Sequence, residues 1–394
     1  PILFRRIEDA KRADPALKIV VVDPRRTDTC EIADLHLPIQ PGTDVLLCHG
    51  LLHVMLWEGW TDTAYIAAHT TGFDALKALV RDATPEHVAR TCGIAQDELI
   101  TAARWFAGVR DGGPRTPTLS LYCQGLNQSS SGTAKNAALV HLHLATGQIG
   151  KPGAGPLSLT GQPNAMGGRE VGAMANLLSA HRELGNAAHR AEVAALWGVA
   201  SVPEKPGKTA LEMFEAVADG EIKALWIACT NPAQSLPDQR TVRRALERCE
   251  FVVLQEAFAH TATADYAHLL LPATTWGEKE GTVTNSERRI TRVRAAVPPP
   301  GEGDPVSGPG ARHDWAIATA FGRRLQARLM PAHAPLFPYE TPESIWNEHR
   351  ESTRGRDLDI TGLSYAALEA APAQWPFRSG ADSGSERLYA DGVF

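Results

Sequence analysis

Five short apolar runs, each cut off by a polar loop, constrain this chain more than any other feature of it. LKIVVVDP (17–24) is a continuous β-branched run stopped by Pro24, and LHLPI (35–39), TLSLYC (118–123), KALWIAC (223–229) and FVVLQEA (251–257) repeat the pattern. HLLLP (268–272) is a further short strand. Runs that are apolar throughout, rather than alternating, suit parallel strands buried on both faces. Between them the spacing predicts helices over 45–56, with Thr43 or Asp44 as cap, around 72–82, 84–91 and 95–107, and again over 133–146, 239–248 and 312–329. Strands alternating with helices predict an α/β chain with two doubly wound, Rossmann-like parallel-sheet domains. RDGGPRTP (110–117) is the clearest boundary. It sets a first domain at 1–112 and a second at 113–330, with 331–394 as a proline-rich connecting segment short of periodicity. PPPGEGDPVSGPG (298–310) reads as a surface excursion, and no internal repeat is visible.

Bulk properties remove several function classes. The net charge is −6, from 39 basic and 45 acidic residues mixed along 394, so no basic nucleic-acid surface stands out. The longest apolar runs fall far short of a membrane span, and no signal-like segment opens the sequence. The beginning at Pro1 is expected of a piece of a longer chain. Six scattered cysteines without a CxxC pair suit reduced thiols in a cytosolic protein and argue against a metal cluster. There is no GxGxxG after a strand, no HExxH and no GxSxG, and GQIGK lacks the spacing of a phosphate-binding P-loop. His49 and His53 have zinc-ligand spacing on a helix but no third ligand, so packing is their expected role. ERRITRVR (287–294) places four arginines on a strand and reads as a salt-bridged face. The chain offers no nucleophile, general base or metal site of its own.

The loops at the strand ends carry what remains. DPRRTDT, QPGTD, QGLNQSSSG, CTNPAQ and QEAFAH lie where open α/β sheets bind ligands. Their amides, hydroxyls and carboxylates suit heterocycles and ribose, and turn N–H groups suit phosphates. Together they favour a nucleotide-like ligand. The stretch GQIGKPGAGPLSLTGQPNAMGGREVG (147–172) holds eight glycines and three prolines, yet also Leu157, Leu159, Met166 and Val171. It is too apolar for a linker.

GLNQSSSGTAKN, the glycine-dense stretch itself, TNPAQSLPD, LLLPATTWGEKEGTVTNSERRI and NEHRESTRGRDLDITGLSY together resemble the molybdopterin oxidoreductases, and among them the bacterial assimilatory nitrate reductases. The resemblance runs over nearly the whole chain. It implies a Mo-bis-molybdopterin guanine dinucleotide (MGD) cofactor, with one arm reaching into each α/β domain, and makes the glycine-dense stretch a wall against which that cofactor lies. Carried over by position, Asp23, Arg25, Thr27, Gly42, Thr43 and Asp44 would hold one guanosine. Gln124 and Gln128 would face the cofactor, and Asn231, Gln255, Glu256, Lys279 and Asp314 match further cofactor contacts. Gln124 stands where relatives often have Met, and Gln255-Glu256 where periplasmic relatives have Ser-Asp. Family members also carry a 4Fe-4S motif, a molybdenum-ligating cysteine and a final β-rich domain, none of which matches here. No catalytic residue is therefore assigned, and the segment alone is expected to be inactive. The implied parent is a cytoplasmic nitrate-assimilation enzyme that takes nitrate to nitrite, with an electron-donor protein as partner and neither nucleic acid nor membrane. Formate dehydrogenases share the fold and cofactor, and some relatives keep the fold without the cofactor, so both are alternatives.

Overall fold

The computed structural model describes residues 2–110, 113–301 and 310–393, and they divide into two compact units, 1–161 with 387–394 and 162–386. In the first, helix α1 (Ile2–Ala13) has no fully buried side chain and is tied to Asp34 by Lys11 at 2.9 Å. Strands β1 (Val20–Val22) and β2 (Leu35–Leu37) pair in parallel, Val20 opposite Leu35. Helix α2 (Asp44–Trp57) is apolar all round because neighbours cover it on several sides. Helices α3 (Thr63–His69), α4 (Phe73–Leu79), α5 (Pro85–Cys92) and α6 (Gln96–Phe106) follow, with α5 and α6 against α2. Gly50 permits the closest approach, since a Cβ there would lie 2.7 Å from a Val88 methyl. Strand β3 (Leu119–Tyr122), the short helix α7 (Gln124–Asn127), helix α8 (Gly132–Ala145) and strand β4 (Gly155–Ser158) complete the unit. β3 and β4 are parallel, and α8 packs on α2, adding Leu142 to a core of Leu37, Leu47, Leu52, Met55, Val88 and Leu99.

The boundary expected at 112 therefore falls inside the first unit, although Asp111 and Gly112 themselves lie outside the described residues. The RDGGPRTP turn breaks the chain locally, but Leu142 and Ala145 beyond it are buried with α2 and α6.

The second unit opens with helix α9 (Ala165–Glu170), the hairpin β5 (Leu177–Leu178) and β6 (Arg182–Glu183), and helices α10 (Ala187–Trp197) and α11 (Ala210–Asp219). A capping box of Thr209 with Glu212 starts α11 and left-handed Gly220 ends it. Strand β7 (Ala224–Ala228), helices α12 (Pro232–Ser235) and α13 (Gln239–Arg248), and strands β8 (Phe251–Glu256) and β9 (Leu269–Pro272) then form a parallel sheet in the order β7-β8-β9. Leu225, Ile227, Val252 and Leu254 bury one face against Phe214, Val217, Val242 and Leu246 of α11 and α13. An antiparallel pair, β10 (Gly281–Thr284) and β11 (Arg289–Val293), precedes α14 (Asp314–Leu329), α15 (Pro342–Ser352), α16 (Tyr365–Ala370) and β12 (Ala373–Gln374), which joins β11. On the other face of the parallel sheet Trp226 meets Phe321 of α14 edge-on at 4.9 Å, so helices lie on both faces.

Of the excursion expected at 298–310, residues 302–309 lie outside the described residues. The segment 331–394 needs a correction, because it is not a mere connector. Leu358, Ile360, Leu363 and Leu368 are fully buried or nearly so, anchored by the Asp359 carboxylate, which takes N–H groups from Gly355 and Thr361. A core built from single apolar residues in hydrogen-bonded turns has no helical or strand period to read.

Candidate cofactor site

In the second unit three of the sequence-expected residues meet directly at the carboxyl ends of β7 and β8. Gln255, 4% exposed, receives the Trp226 indole N–H on Oε1 at 3.2 Å and donates from Nε2 to Asp314 Oδ1 at 2.8 Å. Lys279 Nζ donates to Asp314 Oδ2 at 2.8 Å and lies 5.4 Å from the centre of the Trp276 ring. Burial alone would raise the Asp314 carboxyl, but the Lys279 and Gln255 donors outweigh it and hold it below the ordinary range. Glu256 accepts the Ala257 N–H at 2.7 Å beside them. Asn231 turns into its own loop: its Oδ1 accepts from Thr263 Oγ1 at 2.6 Å and Thr263 N at 3.1 Å, which braces the loop after β7 against the loop after β8.

Cys229 belongs to this cluster and was not singled out from sequence. It ends β7 in the left-handed region, φ 58°, with its thiol 3.4 Å from Asp314 Oδ1. Burial, then the Asp314 charge, pushes that thiol up to about 11. Its place as the last residue of an apolar run before TNP was the available signal.

In the first unit Asp44, the first residue of α2, pairs with Lys135 at 2.8 Å, and Lys135 also reaches the Gly125 carbonyl at 3.4 Å. One ammonium thus links the QPGTD turn to α7, where Gln124 and Gln128 flank Gly125. Lys135 is the second residue that sequence reading missed. Thr43 donates its hydroxyl to the Gln40 carbonyl at 2.7 Å rather than capping α2, and Gly42 turns at φ 90°. Because β1 and β2 are parallel, Asp23 leaves the sheet at the same end as this turn. Asp23 accepts the Arg25 N–H at 2.8 Å, while the exposed Arg25 guanidinium has no partner among the described residues. Thr27 precedes the turn 28–32 without a side-chain cap.

The glycine-dense stretch divides by cause. A Cβ at Gly147 would lie 2.7 Å from Asp62 Oδ2, and one at Gly150 would strike the Tyr389 carbonyl. At Gly167 it would strike Asn164 Oδ1, and at Gly172 it would lie 2.5 Å from the Leu178 backbone. At Gly161 and Gly168 it would meet nothing within 4 Å among the described residues. Leu157, Leu159 and Met166 are half-buried as expected of anchors, whereas Val171 is 51% exposed.

Among the described residues no group of three metal-ligating side chains occurs, and no helix is long and apolar enough to cross a membrane. His53 stacks on Trp57 at 4.2 Å and approaches the Val80 carbonyl with Nδ1, a packing role. The arginines of 287–294 are paired or stacked: Arg289 with Glu287, Arg292 with Glu280 and over Tyr365, and Arg294 with Glu369.

Comparison with known proteins gives the family. A family model described as "Molybdopterin oxidoreductase" matches residues 1–324. The chain is 42% identical, over all of its length and 53% of the relative's, to a nitrate reductase of Synechocystis sp.. It is 35% identical, over 99% of its length and 52% of the relative's, to an assimilatory nitrate reductase catalytic subunit of Bacillus subtilis. The chain thus spans about half the length of these curated relatives. The acetylene hydratase of Pelobacter acetylenicus superposes with a TM-score of 0.67 over 97% of this chain and 52% of that one, at 20% identity, which speaks to the fold alone.

Proposed function

The chain belongs to the molybdopterin oxidoreductase family, and we propose that it is the cofactor-binding core of a molybdenum nitrate reductase of the assimilatory, cytoplasmic kind. The observation that carries the reading is the 42% identity, across the whole chain, to a protein named a nitrate reductase. The placement of the expected cofactor residues at the carboxyl ends of parallel strands supports it, since open α/β sheets bind ligands there.

The side chains present suit a molybdopterin guanine dinucleotide. Asp44 and Glu256 offer carboxylates to guanine N–H groups or ribose hydroxyls, as does Asp23 near the free Arg25. Arg25 in the first unit and Lys279 in the second each supply positive charge suited to a pyrophosphate, and the Gln124 and Gln128 amides can donate to or accept from a pterin edge. Gly161 of the first unit and Gly168 of the second, each open among the described residues where a Cβ would stand, each leave room for a flat ring against the backbone. Thr27, Gly42, Thr43 and Asn231 shape and brace these loops. Asp314 is held ionised by Lys279 and Gln255 before anything binds, so that corner of the site is preorganised. The bound cofactor supplies two-electron oxygen-atom transfer, turning nitrate and two protons into nitrite and water, with electrons delivered through a 4Fe-4S centre from a donor protein.

The test is a viologen-linked assay of the full-length protein, with molybdenum and guanine nucleotide measured on the same sample. Nitrite formed from nitrate, with both components present, is the expected result. Formate oxidation without nitrate reduction would transfer the chain to the formate dehydrogenases. A protein carrying neither molybdenum nor guanine nucleotide would make it a structural relative.

A further inference from the structure

The hairpin β5–β6 turns through Ser179, Ala180 and His181, and both Ala180 and His181 are left-handed, at φ 57° and 55°. Tight hairpin turns with two left-handed residues favour Asn-Gly, which carry little steric penalty there. Ala-His breaks that rule, and breaks of local rules point to residues kept for their side chains. The turn is clamped on one side by buried Arg182, which donates to the Ser179 carbonyl at 3.1 Å, the Ser352 carbonyl at 2.8 Å and Glu192 at 2.7 Å. Ala180 N–H donates to the Glu170 carbonyl at 2.7 Å on the other.

This turn faces a second rigid turn, 353–361, fixed by Thr353 and Asp359 through backbone N–H groups. His181 Nδ1 lies 2.8 Å from Asp357 Oδ2, and the imidazole meets the Trp375 ring edge-on at 5.9 Å. His181, Gly355, Arg356 and Asp357 line a cleft of about 310 Å³. Neither His181 Nε2 nor the half-buried Arg356 guanidinium has a hydrogen-bond partner among the described residues.

We propose that this cleft binds a small oxyanion, held by the Arg356 fork beside the His181 imidazole. A carboxylate that receives Nδ1–H fixes the tautomer and leaves Nε2 as the basic nitrogen. The guanidinium matches a planar or tetrahedral oxyanion through two parallel N–H groups. Asp357 is engaged by His181 through Oδ2, which leaves Arg356 as the cation of this wall without a partner among the described residues. The other groups near His181 do not cancel it. Glu170 of α9 is buried and bonded to Trp375 and Thr284, and His349 of α15 is pushed down to about 4 by burial and then by His181. Glu192 approaches Arg356 but is tied to Arg182.

The experiment follows imidazole resonances of the 15N-labelled 394-residue chain during titration with sodium nitrate and, separately, inorganic phosphate, with sodium chloride balancing ionic strength. One imidazole should shift saturably with at least one of the two anions. The signal is assigned by its loss in His181→Asn, a residue that tolerates left-handed backbone. Arg356→Gln should abolish saturation while the melting temperature stays unchanged, because that guanidinium makes no hydrogen bond among the described residues. No saturation by either anion, or an Arg356→Gln curve that overlays the wild type, would overturn the proposal.

Discussion

Glu170 ends the glycine-dense stretch as a carboxyl group only 3% exposed, and its two oxygens are both used. Trp375 Nε1 donates to Oε1 at 2.6 Å and Thr284 Oγ1 donates to Oε2 at 2.9 Å, so one side chain fastens α9 to β10 and β12. Replacing it with alanine would leave a buried indole N–H and a buried hydroxyl unpartnered. Each such loss costs about 1–3 kcal/mol, so Glu170→Ala should cost roughly 2–6 kcal/mol. In a unit of this size that lowers melting by on the order of 5–15 °C. Glu170→Gln keeps the shape, accepting from Trp375 through its carbonyl and donating to Thr284 Oγ1 through its amide. The two variants therefore separate hydrogen bonding from charge. Burial raises the Glu170 carboxyl above its ordinary value of 4.5, and the Thr284 and Trp375 donors only partly offset it. A raised folded value means that the protonated form stabilises the fold. That contribution is full below the unfolded value and is lost as pH rises through the folded one. The stability of the wild type relative to Glu170→Gln should therefore decline with rising pH. Scanning calorimetry of all three proteins across this range is the assay. Parallel pH profiles for wild type and Glu170→Gln, or an alanine variant melting within about 2 °C of wild type, would refute the reasoning.

Three further outcomes follow from the site. The Cys229 thiol is pushed up to about 11 by burial and by Asp314, so Asp314→Asn should accelerate its alkylation at mildly alkaline pH severalfold. Mass-mapped labelling rates check this, and an unchanged or slower rate at Cys229 would count against it. Gly172→Ala places a Cβ 2.5 Å from the Leu178 backbone at φ 78°, and should destabilise the second unit by at least about 2 kcal/mol in denaturant unfolding. Gly161→Ala meets nothing and should melt like the wild type, yet lower the molybdenum content of the full-length protein if a pterin lies against that backbone.

Most of the parallel strands were legible because their signal is local. Strands β7 and β8 are continuous apolar runs that the structure places within a residue or two of the spans read from KALWIAC and FVVLQEA, although β7 alternates exposed and buried residues and is not buried on both faces. Helix α13 at 239–248 was equally plain from its spacing. What escaped was set by contacts distant in sequence. Lys135 reaches Asp44 across 91 positions of chain (135 − 44), and His181 reaches Asp357 across 176. The hairpin at 177–183 has strands of two residues, too short for any period, and the buried tail rests on the capped turn at Asp359 rather than on a pattern. The boundary misplaced at 112 shows the same limit, since a turn-rich stretch marks a local break but does not say which core the next helix joins.

The glycine-dense stretch shows why composition could pose the question but not divide the answer. Eight glycines in 147–172 were read as one feature, a backbone laid bare for a cofactor. Four of them are glycine because the protein itself is in the way: Asp62, Tyr389, Asn164 and Leu178 occupy the space a Cβ would take at Gly147, Gly150, Gly167 and Gly172. Those positions would be glycine whether or not any ligand exists, and substituting them tests folding. Among the described residues Gly161 and Gly168 have no such neighbour, and neither is left-handed, so neither the packing of those residues nor backbone strain requires glycine there. A requirement that the chain does not impose on itself points to something that comes against it from outside, and these two positions are where the cofactor reading is exposed to test.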